Sequence, residues 1–357
     1  MNLLILTGKF GFGHNSAANS IKEKILLENP TYNVKIIDFI EYMFPTLNKY
    51  IYRTFNFLVD KCHALYNGLN KIGSKNTSAP LKKVIVKKID ELIYENEANL
   101  IISVFPVCSK YISAYKKMFD KDIILNTCIT DVDAHEEWIS EETNLYFVAC
   151  EKTQKNLIEM GVPKEKIVIS GIPVKSDFTV SSKNTKQKNI LIMGGGLGLI
   201  PDVEELLKSL ENTPSVKVNV IVGNNKKLYD KLSSNYENIN IIGFTNQVYK
   251  YMKEADLIVT KAGGITMFEA INTETPMFVI KPFLTQEVGN ALYIEDNNLG
   301  EVLWKKNKYL STDILNLINN NEKLVQMKTN MKNIKKTFAK TSYVINLKRE
   351  GESKWCI

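Results

Sequence analysis

Short apolar runs bounded by turn residues recur along the first half of the chain, at Leu3–Leu6, Val34–Ile37, Leu100–Val104, Ile123–Thr127, Leu145–Ala149 and Ile167–Ser170. Runs this short and apolar, separated by longer helical stretches, predict strands of a parallel sheet covered on both faces. The polar stretch Ser176–Lys188 interrupts the pattern, which restarts at Ile190–Met193, Val218–Val222, Ile239–Ile242, Leu257–Thr260 and Met277–Ile280. The reading is two α/β domains, 1–175 and 176–335, followed by a Lys-rich tail, 336–357. The final segment is predicted helical from about Thr312, with the tail packing across the domains.

Both halves open on a strand, then glycines, then a helix: ILTGKFGFGHNSAANSI and LIMGGGLGLIPDVEEL. Doubly wound sheets bind ligands beyond the carboxyl ends of their strands. Two Rossmann-like domains facing a central cleft are therefore the expected architecture.

Composition narrows the setting. With 357 residues, 44% of them hydrophobic, the chain can fill two cores. MNLLILTG lacks a basic leading region and runs straight into a glycine loop, and no stretch of 18 apolar residues follows. A cytoplasmic protein is expected. The five cysteines, Cys62, Cys108, Cys128, Cys150 and Cys356, never form a C-x-x-C pair and read as reduced, mostly buried thiols. The net charge of +7 is concentrated: residues 45–90 hold nine Lys or Arg against Asp60 and Asp90, which leaves the rest of the chain neutral in sum. Such a patch suits an anionic surface.

The glycine loops carry the first candidate chemistry. Gly8, Gly11 and Gly13 precede a helix starting near His14, where backbone N–H groups are available to a ligand. A dinucleotide loop would read G-x-G-x-x-G, whereas this one reads G-x-x-G-x-G, so the nicotinamide reading is weak. In the second half, Gly194, Gly195, Gly196 and Gly198 form one loop, and Thr260-Lys261-Ala262-Gly263-Gly264-Ile265-Thr266 forms another. Two glycine-rich turns at neighbouring strand ends suit a diphosphate. Glu269, one turn into the helix, suits neutral hydroxyl donors such as a ribose, although a solvated helix Glu reads the same way. Gln286 and Asn290 sit at i and i+4 beside Glu287, and on a helix they form a polar set able to read sugar hydroxyls.

Taken together, GFGHNSAANSI, TDVDAHEEW, SGIPV, TKAGGITMFEA and QEVGN resemble the monogalactosyl- and glucosyl-diacylglycerol synthases. That family comprises inverting glycosyltransferases of the GT-B fold, related to the lipid II N-acetylglucosaminyltransferase. The most specific piece is Thr130–Trp138, which is similar to the family's T-D-F-x-x-H-x-x-W stretch, with Val132 in place of Phe. Ala262 stands where the family often has Pro. The resemblance implies an amino-terminal domain that meets the lipid and a carboxy-terminal domain that holds a UDP-sugar. It implies that Gly263, Gly264 and Thr266 hold the diphosphate, with Gly195, Gly196 and Lys261 beside them, and that Glu269 holds the ribose. Gln286, Glu287 and Asn290 would meet the donor sugar, and Phe244 would border the base.

Inverting transfer needs a base for the acceptor proton and dipolar or positive groups for the leaving diphosphate. His14 is the preferred base, because a helix N-terminus favours the neutral imidazole. Asp131 and His135 are the competing candidates, and Gly11, Gly13 and Trp138 accompany them on the acceptor side. Helix ends and backbone donors can meet the diphosphate charge, so neither metal nor cofactor is expected. The D-x-D at Asp131–Asp133 lies away from the nucleotide loops.

Aromatic residues from Tyr42 to Tyr66 interleave with Lys49, Arg53 and Lys61, ahead of LKKVIVKK at 81–88. Arg53, Phe55, Phe57, Lys82 and Lys83 are the expected contacts with an anionic membrane, on its cytoplasmic face. No nucleic-acid-binding signature accompanies the patch, so nucleic acid is not an expected partner. Two further readings share these features: a transferase of the same fold acting on a polyprenyl-linked cell-wall precursor, and a non-catalytic nucleotide-sugar-binding protein.

Overall fold

The computed structural model describes residues 1–10, 13–61, 82–180, 187–196, 198, 200, 203–213, 215–282, 284–305, 309–340 and 342–344, without the side chains of 55–61 and 82. Gly11 and the side chains of Phe55, Phe57 and Lys82 thus lie outside the described residues, as do Cys62 and Cys356. The chain forms two compact units. Unit 1 is Met1–Ser176 with Phe338–Ile357, and unit 2 is Asp177–Thr337.

Unit 1 holds β1 (Asn2–Thr7), β2 (Asn33–Asp38), β3 (Leu100–Ser103), β4 (Ile124–Cys128), β5 (Leu145–Val148) and β6 (Ile167–Ile169). They pair in parallel in the order β2-β1-β3-β4-β5-β6. Alternation explains why the central runs are largely apolar. Leu4 and Leu6 enter one core with Ile101 and Leu125, while Leu3 and Ile5 enter the opposite core with Leu100 and Ile102. A strand buried on both faces is mostly apolar, and the few polar side chains it carries, such as Ser103, Asn126 and Thr127, are buried with it.

Unit 2 repeats the plan with β7 (Lys188–Met193), β8 (Val216–Ile221), β9 (Ile239–Ile242), β10 (Leu257–Thr260), β11 (Met277–Ile280) and β12 (Gly300–Leu303). The order is β12-β11-β10-β7-β8-β9, again parallel. β12 is an addition to the predicted strands: GEVL is short, half polar and partly exposed at the sheet edge. In each sheet the chain winds to one side of its first strand and then crosses to the other. The crossing creates a switch point between β1 and β3 in unit 1 and between β7 and β10 in unit 2, where loops diverge and leave room for a ligand.

The carboxy-terminal segment divides between the two units. Two helices, Leu310–Asn319 and Asn321–Thr337, belong to unit 2, and the described residues beyond them dock on unit 1. Tyr343 is buried against Phe147, with ring centroids 4.8 Å apart, and its carbonyl accepts from Asn126 Nδ2 at 3.0 Å. Ala339 N–H donates to Ile169 O at 2.7 Å. Cys108, Cys128 and Cys150 are buried free thiols, and burial pushes Cys128 up to about 12.

Candidate active site

At the switch point of unit 1, the loop after β1 is pinned before it reaches its helix. Phe10 stacks on Phe105 at 4.9 Å and meets Tyr52 edge-on at 5.0 Å. The Lys9 N–H donates to the Tyr52 hydroxyl at 3.1 Å, and that hydroxyl donates to Asp38 at 2.5 Å. Tyr52 lies on the helix Asn48–Lys61, so this helix fixes the loop that leads into Gly13–Glu28.

His14 is the second residue of Gly13–Glu28. Its ring lies against Phe105 at 5.2 Å and Trp138 at 6.4 Å, and its Nδ1 is 3.1 Å from the Thr130 hydroxyl. Burial holds its pKa down to about 4, partly offset by a hydrogen bond to the Val104 backbone. The Val104 N–H is spent on Leu6 O at 3.0 Å, so the group that raises the His14 value is the Val104 carbonyl. The imidazole is neutral at physiological pH. For Nε2 to accept a proton, the tautomer must carry its hydrogen on Nδ1.

Thr130 opens the loop that brings the other two candidates close. Thr153 Oγ1 donates to Val132 O at 2.7 Å and fastens the loop from behind. Asp131 is raised to about 6 by burial first and by Asp133 second, while the Trp138 indole N–H opposes the rise. That opposition acts at a distance, since the buried Trp138 Nε1 has no hydrogen-bond partner among the described residues. Asp133 pairs with Lys152 at 2.7 Å. The ring of His135 lies 6.3 Å from Trp138, and burial lowers its pKa despite Glu137 at 4.0 Å. His14, Asp131 and His135 are therefore gathered around one indole. Among the described residues no group of three or more His, Cys, Asp or Glu converges as metal ligands.

Trp138 itself requires a correction. It is 0% exposed and packs with Ile129, Tyr146, Val148 and Leu157, so it braces the site from within and meets no lipid surface. The basic region is similarly divided. Leu47, Tyr50 and Val84 are exposed beside Arg53, Lys83 and Lys87, whereas Tyr42, Phe44 and Tyr52 pack inward on the core. Lys9, Glu41, Asn48, Lys49, Tyr52 and Arg53 line a cavity of about 480 Å³.

At the switch point of unit 2, two glycine turns meet. Gly195 has φ +69° and Gly198 φ +63°, and a Cβ on Gly198 would come within 2.0 Å of Val222 O, so only glycine fits. From β10 the chain passes through Lys261 and Ala262 into the helix Gly264–Thr273, capped by Gly263. The first-turn N–H groups of that helix, including that of Thr266, have no intrahelical partner and form an anion site. Glu269 is half-buried one turn further on. Phe244 is 55% exposed and, with Gly223, Asn224, Lys226, Tyr229, Asp230 and Gly243, lines a cavity of about 410 Å³.

The helix Thr285–Asp296 supplies the remaining predicted donor residues. Gln286 is half-buried, but Glu287 and Asn290 are buried and turned to the β10 loop. Asn290 Nδ2 donates to Ala262 O at 2.9 Å, and Lys261 Nζ donates to Glu287 Oε1 at 3.0 Å. Sequence reasoning did not give Thr130 a role towards His14, 116 positions away, nor Tyr52 a role in holding the first loop. Thr130 opens a recognisable motif, but no spacing rule links it to a histidine so distant.

Comparison with known proteins decides the family. Residues 14–174 match the model of monogalactosyldiacylglycerol (MGDG) synthase, and residues 189–342 match the glycosyltransferase family 28 C-terminal domain. The chain belongs to the monogalactosyl- and glucosyl-diacylglycerol synthase family. It is 28% identical over 360 residues to a processive diacylglycerol beta-glucosyltransferase of Bacillus licheniformis, covering 93% of this chain and 91% of that one. The protein of the same name from Bacillus cytotoxicus is 27% identical over 350 residues, covering 93% and 89%. Among solved structures, MurG of Acinetobacter baumannii superposes with a TM-score of 0.59 at 13% identity, covering 96% and 97%. The spinosyn rhamnosyltransferase SpnG, in complex with thymidine diphosphate, gives 0.63 at 12%, covering 94% and 96%. The fold of this family member is GT-B.

Proposed function

We propose that the protein transfers a hexose from a UDP-sugar to diacylglycerol or a glycolipid, with inversion, while bound to an anionic membrane surface. The observation that carries this reading is the Thr130–Trp138 loop gathered on His14, within the region that matches the MGDG synthase model.

Unit 2 holds the donor. The free N–H groups of Gly264–Thr273 and the turn at Gly195–Gly196 receive the diphosphate, and Glu269 receives the ribose hydroxyls. The base enters the cavity beside Phe244. These groups and Lys261 meet the leaving charge, so the chemistry calls for no metal ion.

Unit 1 supplies the base. Neutral His14 accepts the acceptor hydroxyl proton at Nε2 as the hydroxyl oxygen attacks the anomeric carbon and the bond to the diphosphate oxygen breaks. Thr130 holds the ring at Nδ1, while Phe105 and Trp138 flank it. No helix among the described residues is long and apolar enough to cross a membrane. Exposed Tyr50, Arg53, Lys83 and Val84 supply rings and cations for peripheral binding instead.

The test is purified protein with diacylglycerol vesicles and a panel of UDP-sugars, read by mass spectrometry. Glycolipid formation that is lost in His14→Ala, with UDP binding intact, is the expected result. Turnover on a polyprenyl diphosphate sugar but not on diacylglycerol would overturn the acceptor assignment, and unchanged turnover in His14→Ala would remove that residue from the mechanism.

A further inference from the structure

β1 and β2 end together, with Thr7 paired to Asp38, so Gly8, Lys9 and Phe10 lie beyond the last rung of the sheet. A ladder that stops leaves backbone groups to be paired by other means. Here one phenol closes the gap. Tyr52 accepts from the Lys9 N–H at 3.1 Å and donates to Asp38 Oδ1 at 2.5 Å. Asp38 also accepts from the Glu41 N–H at 2.9 Å as the N-cap of Phe39–Met43, so the acceptor is itself fixed. Burial and the bond to Asp38 hold the Tyr52 phenol well above its ordinary value, which keeps the donor protonated.

From that anchor a run of rings leads to His14. Phe10 meets Tyr52 edge-on and stacks on Phe105 with planes 24° apart, and Phe105 meets the His14 ring at 63°. Gly8 makes room for the pair, since a Cβ there would lie 3.0 Å from Phe10 and 3.3 Å from Phe105. Close-packed side chains transmit displacement, so a shift of Phe10 reaches the imidazole through Phe105. Tyr52 stands on Asn48–Lys61, whose Lys49, Tyr50 and Arg53 are exposed. One helix thus turns its cations outward and the anchor inward.

We propose that Tyr52 is a positioning residue for the base: through Phe10 and Phe105 it sets the ring of His14, so the helix offered to the membrane also aims the imidazole. The inference rests on the transfer reading above, in which His14 takes the acceptor proton. Tyr52 acts on geometry alone, and a misplacement of about 1 Å at a reacting group costs up to ~100-fold in rate.

The experiment pairs NMR with kinetics on the full-length protein. Isotope-labelled histidine gives three ring signals, and the one missing in His14→Ala identifies His14. Tyr52→Phe keeps the ring and loses both hydrogen bonds. It should move the His14 Hε1 signal and raise its titration midpoint above about 4, as looser packing lets water reach the ring. Phe10→Leu should do the same, and thermal melting checks that each variant is folded. Tyr52→Phe should also lower kcat for glycolipid formation about tenfold, while KM for the UDP-sugar and sedimentation with anionic vesicles stay within about twofold. In the His14→Ala background it should leave residual turnover unchanged. A His14 signal that stays in place in folded Tyr52→Phe would overturn the proposal. So would an equal rate loss in the His14→Ala background, or a loss of vesicle binding that accounts for the fall in kcat. Wild-type protein that makes no glycolipid would instead sink the transfer reading, and the His14 signal still decides whether Tyr52 holds that ring.

Discussion

Asp131→Asn tests the electrostatics of the acceptor loop directly. Burial and Asp133 lift the Asp131 carboxyl from its ordinary value of 3.8 to about 6. Because the folded value is the higher one, the folded protein takes up this proton first as pH falls. The stability linked to the group is therefore greatest below about 4 and is lost as pH rises through 6. The shift is worth about 3 kcal/mol at most, since each tenfold change in proton affinity is ~1.4 kcal/mol. Partial exposure of the carboxylate reduces this to about 1–2 kcal/mol. Asn stays neutral throughout, so the variant should match wild type near pH 4 and exceed it at pH 8. For a unit of this size the gain is about 3–6 °C in Tm. Scanning calorimetry of both proteins from pH 4 to pH 8 measures it, and the titration of His14 cancels in the difference. A gap in Tm that does not grow with pH, or a variant less stable at pH 8, would refute the argument.

The same variant separates the base candidates. With His14 near 4 as the base, Asp131→Asn should keep turnover within tenfold and a flat kcat/KM profile from pH 8 down to about 5. Loss of turnover beyond a hundredfold, together with loss of a limb near pH 6, would assign the base to Asp131. Thr130→Val removes the hydroxyl at His14 Nδ1 and should lower kcat about tenfold or more while KM for the UDP-sugar holds; steady-state kinetics reads the split. Tyr343→Ala empties an aromatic site in the unit 1 core and should destabilise unit 1 by about 3–5 kcal/mol, with the unit 2 transition unmoved in calorimetry. Reversing two exposed cations, Lys83→Glu with Lys87→Glu, should cut sedimentation with anionic vesicles at low salt by tenfold or more, at about 1 kcal/mol per charge.

The sheets were legible in the sequence because strands buried on both faces are mostly apolar. Leu3–Leu6 and Leu257–Thr260 declare themselves. β12 did not, because an edge strand tolerates the Glu of GEVL and close approach to Met277 O demands its Gly. The glycine turns and the histidines of the site were readable as motifs, and the structure gathers His14, Asp131 and His135 as neighbours of Trp138. What the motifs did not carry was direction. Trp138 sits in a motif of chemical groups, yet its ring faces the core. Glu287 reads from sequence as one of a polar set that meets the donor sugar. Its burial depends on Lys261 arriving 26 positions earlier in the chain, a tertiary fact that no local pattern encodes. Tyr343 was hidden in the same way, one ring in a Lys-rich tail.

The return of Tyr343 to unit 1 also sets a timetable for synthesis. A ribosome that has finished Ser176 must still add about 170 residues before the ring that completes the unit 1 core emerges. At ordinary elongation rates that delay is on the order of 10–30 s. During it the apolar surface around Phe147 stays open, while the intervening residues of unit 2 are already free to fold. The domain made first is finished last, and a ribosome stalled late in the message leaves it the incomplete one.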